Sequence, residues 1–284
     1  MKKADGSPGA TKIMGIVNVT PDSFFDGGRW LDQTAAIGHC FDLIAEGADL
    51  LDIGAESTRP DFGDVPGPVQ IGRLLPVLEG IRGAGVPISV DTRDADVARD
   101  AIDAGATIVN DVSGGTHDRA MMALVAETGV DYICQLWRRD SEATGWEKAF
   151  DELLRRRDAC LDAGIAEGRI ILDPGLGFGR SLADDWQILS NVKALTELPH
   201  RVLIGASHKR FLQPGGVAHA AKKTEKPFAD AADIAVTTWC AAHGVWAVRT
   251  HTVADHKKAV AVIARLMAES GQNFDIEEHK LEKT

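Results

Sequence analysis

The chain has 284 residues, of which 44% are hydrophobic and 26% charged, enough to bury one large core or two modest ones. A formal net charge of −11 repels phosphate backbones and argues against broad nucleic-acid binding. An anionic ligand must therefore meet a local basic cluster that works against the overall field.

Residues 1–11 carry two lysines with no apolar stretch before the first strand, so they read as a flexible N-terminus and not as a signal peptide. The first strand candidate, Ile13–Val19, is an apolar run that Asn18 interrupts. Pro21, Asp22, Phe24, Phe25, Asp26 and the Gly27-Gly28 pair follow, which is more chemistry than a turn needs. Further short apolar runs at Leu50–Gly54, Ile88–Asp91, Ile108–Asp111, Tyr132–Leu136, Ile170–Asp173, Val202–Ala206 and Trp246–Arg249 read as strands. Between them, Thr34–Glu46, Asp94–Ala104, Trp146–Ala163 and Asp230–His243 have helical periodicity. Gly47, Gly105, Gly129, Gly164 and Gly244 stand where helix C-caps belong.

Eight strand-then-helix units predict an α/β fold, a single closed (β/α)8 TIM barrel over residues 12–268. A doubly wound open sheet is the alternative, but no Gly-x-Gly-x-x-Gly follows the first strand. The Gly175-Leu176-Gly177-Phe178-Gly179 run after the sixth strand has the wrong spacing and reads as a tight turn. The connections Glu56–Val69 and Gln213–Phe228 are long; with the stretch after Asn18 they give extended active-site loops after strands one, two and seven. Residues 269–284 form a charged tail, read as a frayed helix or disorder.

No segment is long enough to span a membrane. Cys40, Cys134, Cys160 and Cys240 lie far apart and form no CxxC pair; three of them sit in apolar stretches and read as buried free thiols, so a reducing compartment and a cytoplasmic location are expected. The nine histidines are scattered, which argues against a structural zinc.

In a parallel barrel the C-terminal strand ends converge on one face, which carries the chemistry. Here those ends hold Asn18, the Glu56-Ser57-Thr58-Arg59 run, Asp91, Asn110-Asp111, Asp173, Ser207 with Lys209, and Arg249 with His251. Asp111 and Thr92 read as local capping groups. Asp91, Asn110 and Asp173 suit a flat heterocycle with several N–H donors and a carbonyl, because a buried carboxylate bonded to two ring N–H groups recognises strongly and directionally. Lys209 could meet the ring's carbonyl or edge. Arg249 and His251 share one side of the last strand, and arginine's fork suits phosphate oxygens. The N-terminal amides of a helix over Val253–Ala268 could face the same anion. No nucleophile has a base beside it. Such a site fits transfer between two bound substrates, driven by positioning and by stabilising a phosphate-type leaving group.

Seven motifs in order carry a family likeness: NVTPDSFFDGG from Asn18, ESTRP from Glu56, SVDT from Ser89, NDVSGG from Asn110, LDPGLGFG from Leu172, GASHKRFL from Gly205 and VRTH from Val248. From about Ile13 to Leu266 the sequence closely resembles the dihydropteroate synthases, pterin-binding barrel enzymes of folate biosynthesis. The resemblance implies condensation of 6-hydroxymethyl-7,8-dihydropterin diphosphate with p-aminobenzoate, giving dihydropteroate and pyrophosphate by an SN1-like, Mg²⁺-assisted path. It implies that Asp91, Asn110, Asp173 and Lys209 hold the pterin. Asn18, Thr58, Arg249 and His251 would hold the diphosphate, with Asn18 also on Mg²⁺. Phe24, Arg59, Pro60 and Ser207 would seat p-aminobenzoate. Phe24, Asp26, Thr58 and Arg59, on loops that close over the site, would act in catalysis with Lys209. A homodimer and competition by sulfonamides are also implied.

The chain departs from the family pattern at several positions. His208 replaces the arginine of Ser-Arg-Lys, Gln135-Leu136 replaces Met-His, and Asp184-Asp185 replaces His-Asn. Ala55 replaces a glycine, Asp61 stands for the glycine after Arg-Pro, and Thr252 for the aspartate after Arg-x-His. Two other readings are weighed. A methylfolate-to-corrinoid methyltransferase barrel would share the pterin set but has no diphosphate for Arg249, His251 and the Asn18 loop. A diverged pterin-binding paralogue without synthase activity would not need both closing loops.

Overall fold

A computed structural model describes residues 10–20, 29–56, 64–137, 145–213, 216–217 and 226–270. In chain order the elements are β1 (Lys12–Asn18), α1 (Arg29–Ala45), β2 (Leu50–Gly54), α2 (Gly67–Gly80), β3 (Ile88–Asp91), α3 (Ala95–Asp103), β4 (Ile108–Asp111) and α4 (Ala120–Thr128). They continue with β5 (Asp131–Gln135), α5 (Trp146–Asp162), β6 (Ile170–Asp173), α6 (Leu182–Ser190), α7 (Val192–Thr196), β7 (Arg201–Ile204), α8 (Lys226–Ala242), β8 (Ala247–Thr250) and α9 (Ala254–Ser270). The eight strands close into a barrel in sequence order, and β8 pairs in parallel with β1. The expected (β/α)8 fold is the observed one.

Four strands have the bounds the sequence predicts, and the others shift by one or two residues. β7 ends at Ile204, because its pairing with β8 stops at Ile204↔Val248. Two helices start earlier than their periodicity indicates, α1 at Arg29 and α8 at Lys226. α9 runs through Ser270, two residues into the expected tail; the rest of that tail lies outside the described residues. The glycines expected at helix ends all have positive φ, and Gly129, at 67°, donates its N–H to Val125 to close α4.

A two-residue period explains how the interior is layered. Met14, Leu50, Ile108, Ile133, Ile171, Leu203 and Ala247 form a buried apolar cluster of strand residues, separate from the larger core between strands and helices. One inward step further along five of those strands stand Asp52, Asn110, Gln135, Asp173 and Arg249. The barrel thus has an apolar floor and a polar layer above it, at the C-terminal mouth. The register puts Asn18 beside Gly54, Gly54 beside Asp91, and Asp91 beside Asn110, so the mouth residues of the first four strands are neighbours.

Asp111 faces the other way from Asn110 and is structural, as its capping reading requires. Its carboxylate accepts from Ser113 N at 2.8 Å, Ser113 Oγ at 2.6 Å, Gly115 N at 2.9 Å and the Tyr132 hydroxyl at 2.8 Å. Tyr132 is fully buried. Asp111→Ala orphans several buried donors and is expected to cost about 3 kcal/mol of stability. Urea unfolding measures this; an unchanged midpoint would mean the capping role is wrong.

Candidate active site

The polar layer is organised around Arg249. From β8 its Nε donates to Asp52 Oδ2 at 2.5 Å and its Nη2 donates to Asp91 Oδ2 at 2.8 Å. Asn110 Nδ2 donates to the same Asp52 oxygen at 3.0 Å. Burial works against the Arg249 charge, but Asp52 and Asp91 hold its pKa above the ordinary value. Burial also pushes the Asp91 carboxyl up, to about 7; Arg249 opposes that rise, whereas Asp52, Glu56 and Asp111 add to it. Sequence reading had not named Asp52. Its signal was there: an acid at the middle of Leu50–Gly54, on the same face as the strand ends, with side-chain exposure of 0%.

Across the mouth, Asp173 Oδ1 accepts the Gly175 N–H at 2.8 Å. Burial raises the Asp173 pKa to about 6, against the pull of that N–H and of Lys209. The turn after β6 brings Gly177 under Lys209: a Cβ on Gly177 would lie 2.8 Å from Lys209 Cδ, and one on Gly175 2.0 Å from Leu136 O. Lys209 Nζ sits 3.7 Å from the centroid of the Phe178 ring. Burial and then Arg249 lower the Lys209 pKa to about 8, although Asp173 and Asp185 counter them. Asp185, a buried α6 residue known from sequence only as a departure from pattern, accepts from Gly177 N at 2.9 Å and so holds this turn. The Gly175–Gly179 run is the tight turn expected of it.

Four buried polar atoms at the mouth have no protein partner: Asp52 Oδ1, Ser89 Oγ, Asn110 Oδ1 and Gln135 Nε2. They come from β2, β3, β4 and β5 in turn. Unsatisfied buried polar groups are rare in folded proteins and call for a reason. A flat ligand with donors and acceptors around its edge supplies one.

Beside this layer, Ser207 Oγ lies 3.0 Å from Asp233 Oδ2 and 3.0 Å from His251 Nδ1. The His208 and His251 rings stack at 4.7 Å with 6° between planes. Asp233 of α8 also accepts the His208 N–H at 3.1 Å, and His208 is the only described non-glycine residue with positive φ, 58°.

Residues 14–251 match the family described as pterin binding enzyme. The chain belongs to the pterin binding enzyme family. It is 38% identical over 263 residues to the dihydropteroate synthase of Mycobacterium leprae, covering 89% of this chain and 92% of that protein. Among solved structures it is similar to the Xanthomonas albilineans dihydropteroate synthase with 4-aminobenzoic acid, at 36% identity and TM-score 0.83, covering 91% of this chain and 94% of that one. The same Xanthomonas enzyme in complex with 7,8-dihydropteroate matches at 34% identity and TM-score 0.81, with 91% and 94% covered.

For a pterin binding enzyme, the structure brings together Asp91, Asn110, Asp173, Lys209 and Arg249 at one mouth, with Asn18 at the end of β1 and His251 just past β8. Ser207 is buried, and its hydroxyl is engaged by Asp233 and His251. Phe24, Asp26, Thr58, Arg59, Pro60 and Asp61 lie outside the described residues. The flanks of the second loop are described: Arg93 Nη2 donates to Glu56 at 2.7 Å and to Asp64 at 3.1 Å. Among the described residues no three His, Cys, Asp or Glu side chains group as a metal cage. Asn18, at the end of β1, has an amide oxygen of the hard type that suits a magnesium-like cation.

Replacing Asp52 with alanine leaves part of a buried guanidinium without its partner and is expected to cost about 3 kcal/mol of stability. Thermal and urea unfolding measure the loss; a variant as stable as the parent would mean that Asp91 alone suffices to hold Arg249.

Proposed function

We propose that this mouth carries out dihydropteroate synthesis by positioning two substrates and stabilising a departing diphosphate. The activity is a transferase reaction of folate biosynthesis, joining 6-hydroxymethyl-7,8-dihydropterin diphosphate to p-aminobenzoate. The observation that carries this reading is the set of unpartnered polar atoms from four adjacent strands, beside Asp173 and Lys209, in a barrel of this family.

The pterin lies over the apolar floor. Asp173 accepts from its ring N–H groups, Asn110 and Asp91 meet its other edge, and Lys209 donates to its carbonyl or ring nitrogen. The diphosphate projects towards Arg249 and His251. Arg249 keeps its Nε on Asp52 and turns Nη2 from Asp91 to a phosphate oxygen, which frees Asp91 for the pterin. The C–O bond at the pterin methylene breaks with its electron pair going to the diphosphate. The lone pair of the arylamine then forms the C–N bond, and the amine loses a proton. Mg²⁺, held by the Asn18 amide and the phosphates, would offset charge on the leaving group. On this reading Phe24, Asp26, Thr58, Arg59 and Pro60 complete the aminobenzoate side from the two loops. There Ser207 contributes through the backbone of its turn, since its hydroxyl is engaged elsewhere. Sulfonamides would compete at the same place.

The chain is read as a cytoplasmic homodimer, joined through α8 and α9. All four cysteines are buried thiols, which suits a reducing compartment, and α9 exposes Val262 and Leu266.

Supplied with dihydropterin diphosphate, p-aminobenzoate and Mg²⁺, the protein is expected to release pyrophosphate and dihydropteroate in equal amounts. Pterin binding without pyrophosphate release would overturn the reading. Lys209→Ala is expected to lower kcat/KM by roughly 100-fold through lost charged hydrogen bonds while the fold persists. Unchanged turnover would mean that Lys209 does not touch the pterin.

The outer limits of the pH dependence are set by Asp173 and Lys209, with the displaced Asp91 lying between them. A carboxyl raised to about 6 is neutral below that pH, and an ammonium lowered to about 8 is neutral above it. Dihydropterin affinity in the ligand-free protein is therefore expected to fall below about 6 and above about 8. Binding titrations across that range check this, and a flat profile contradicts it.

A further inference from the structure

The proton inventory of Ser207 goes further than its family role. A serine hydroxyl has one proton to donate and two lone pairs to accept with. The Ser207 hydroxyl donates to Asp233 Oδ2 at 3.0 Å. It accepts the His251 backbone N–H at 3.4 Å, and His251 Nδ1 lies 3.0 Å away. With the single proton committed to a carboxylate, His251 Nδ1 must be the donor in the remaining bond. Thr250 Oγ1, at 3.5 Å from Ser207 Oγ, is closer to the Thr252 carbonyl at 3.2 Å and does not change this count.

We infer that Asp233 is a positioning residue which, through the Ser207 hydroxyl, locks His251 as the Nδ1–H tautomer and fixes its ring. A fixed Nδ1–H leaves Nε2 as the nitrogen that changes protonation state, so His251 meets an anion without giving up its anchor. Two further contacts support the assignment. Asp233 accepts the His208 N–H at 3.1 Å, pinning the left-handed residue whose ring stacks on His251. Asp233 is also buried, at 3% exposure, on a helix outside the barrel mouth, where a carboxylate needs such partners. The ionisable groups facing His251 include His208 by stacking, Asp233 through Ser207, and Asp230 behind His208, with Nε2 of His208 at 3.8 Å from Asp230. The link to catalysis rests on the proposed diphosphate role of His251; the tautomer does not.

The test is nitrogen-15 NMR of the histidine rings in the full chain, with kinetics alongside. The parent is expected to show a protonated Nδ1 on neutral His251. Asp233→Asn and Ser207→Ala should each turn the neutral ring into a tautomer mixture. In Asp233→Asn the KM for the pterin diphosphate should rise about tenfold, the loss of one charged hydrogen-bond network, and by more than the KM for p-aminobenzoate. Asp233→Glu should restore the tautomer in part. An Nε2–H tautomer in the parent, or an unaltered tautomer in both variants, would overturn the assignment. The expected tautomers in a protein that releases no pyrophosphate would leave the assignment standing and sink the functional reading instead.

Discussion

Everything at the barrel mouth depends on one guanidinium held between two carboxylates. Arg249 bridges Asp52 and Asp91 across the interior, spanning β8, β2 and β3. Asp52 is inaccessible to solvent, so neither charge is tolerable without the other. A buried ion pair of this kind contributes little net stability compared with apolar packing. What it gives instead is a cation held inside a molecule of net charge −11, where the proposed diphosphate would be met.

The geometry around that pair follows from strand period and register. The inward-facing strand residues of the floor are apolar, and on five of the strands the neighbour two positions on is polar or charged. The transition from core to site therefore takes one layer. Burial then acts on the groups in that layer in opposite directions, raising Asp173 and Asp91 and lowering Lys209. Carboxyls and an ammonium that titrate near neutrality are well matched to a ligand that exchanges hydrogen bonds with them. The flanking turn at Gly175–Gly179 has no room for side chains at Gly175 and Gly177, and so brings Asp173 and Lys209 to the same edge.

Much of this was legible in the sequence because barrels repeat one local rule. Eight apolar runs, each followed by an amphipathic one, fixed the fold, and the strand ends collected Asp91, Asn110, Asp173, Lys209, Arg249 and His251. What escaped had a physical reason. Asp52 stands inside its strand, not at the end, so a search of strand ends passes over it. Asp185 and Asp233 lie on helices and act through a backbone N–H and a serine hydroxyl, contacts that no spacing encodes. The Ser207 hydroxyl is likewise taken up by Asp233 and His251, a pairing that no spacing encodes.

On binding the diphosphate, Arg249 is expected to exchange one partner and keep the other. A crystal structure with a non-hydrolysable dihydropterin diphosphate analogue and Mg²⁺ tests it directly. In it Arg249 Nε is expected still on Asp52, Nη2 on a phosphate oxygen, and Asp91 turned to the pterin ring. Arg249 remaining on both carboxylates with the diphosphate bound elsewhere would contradict it.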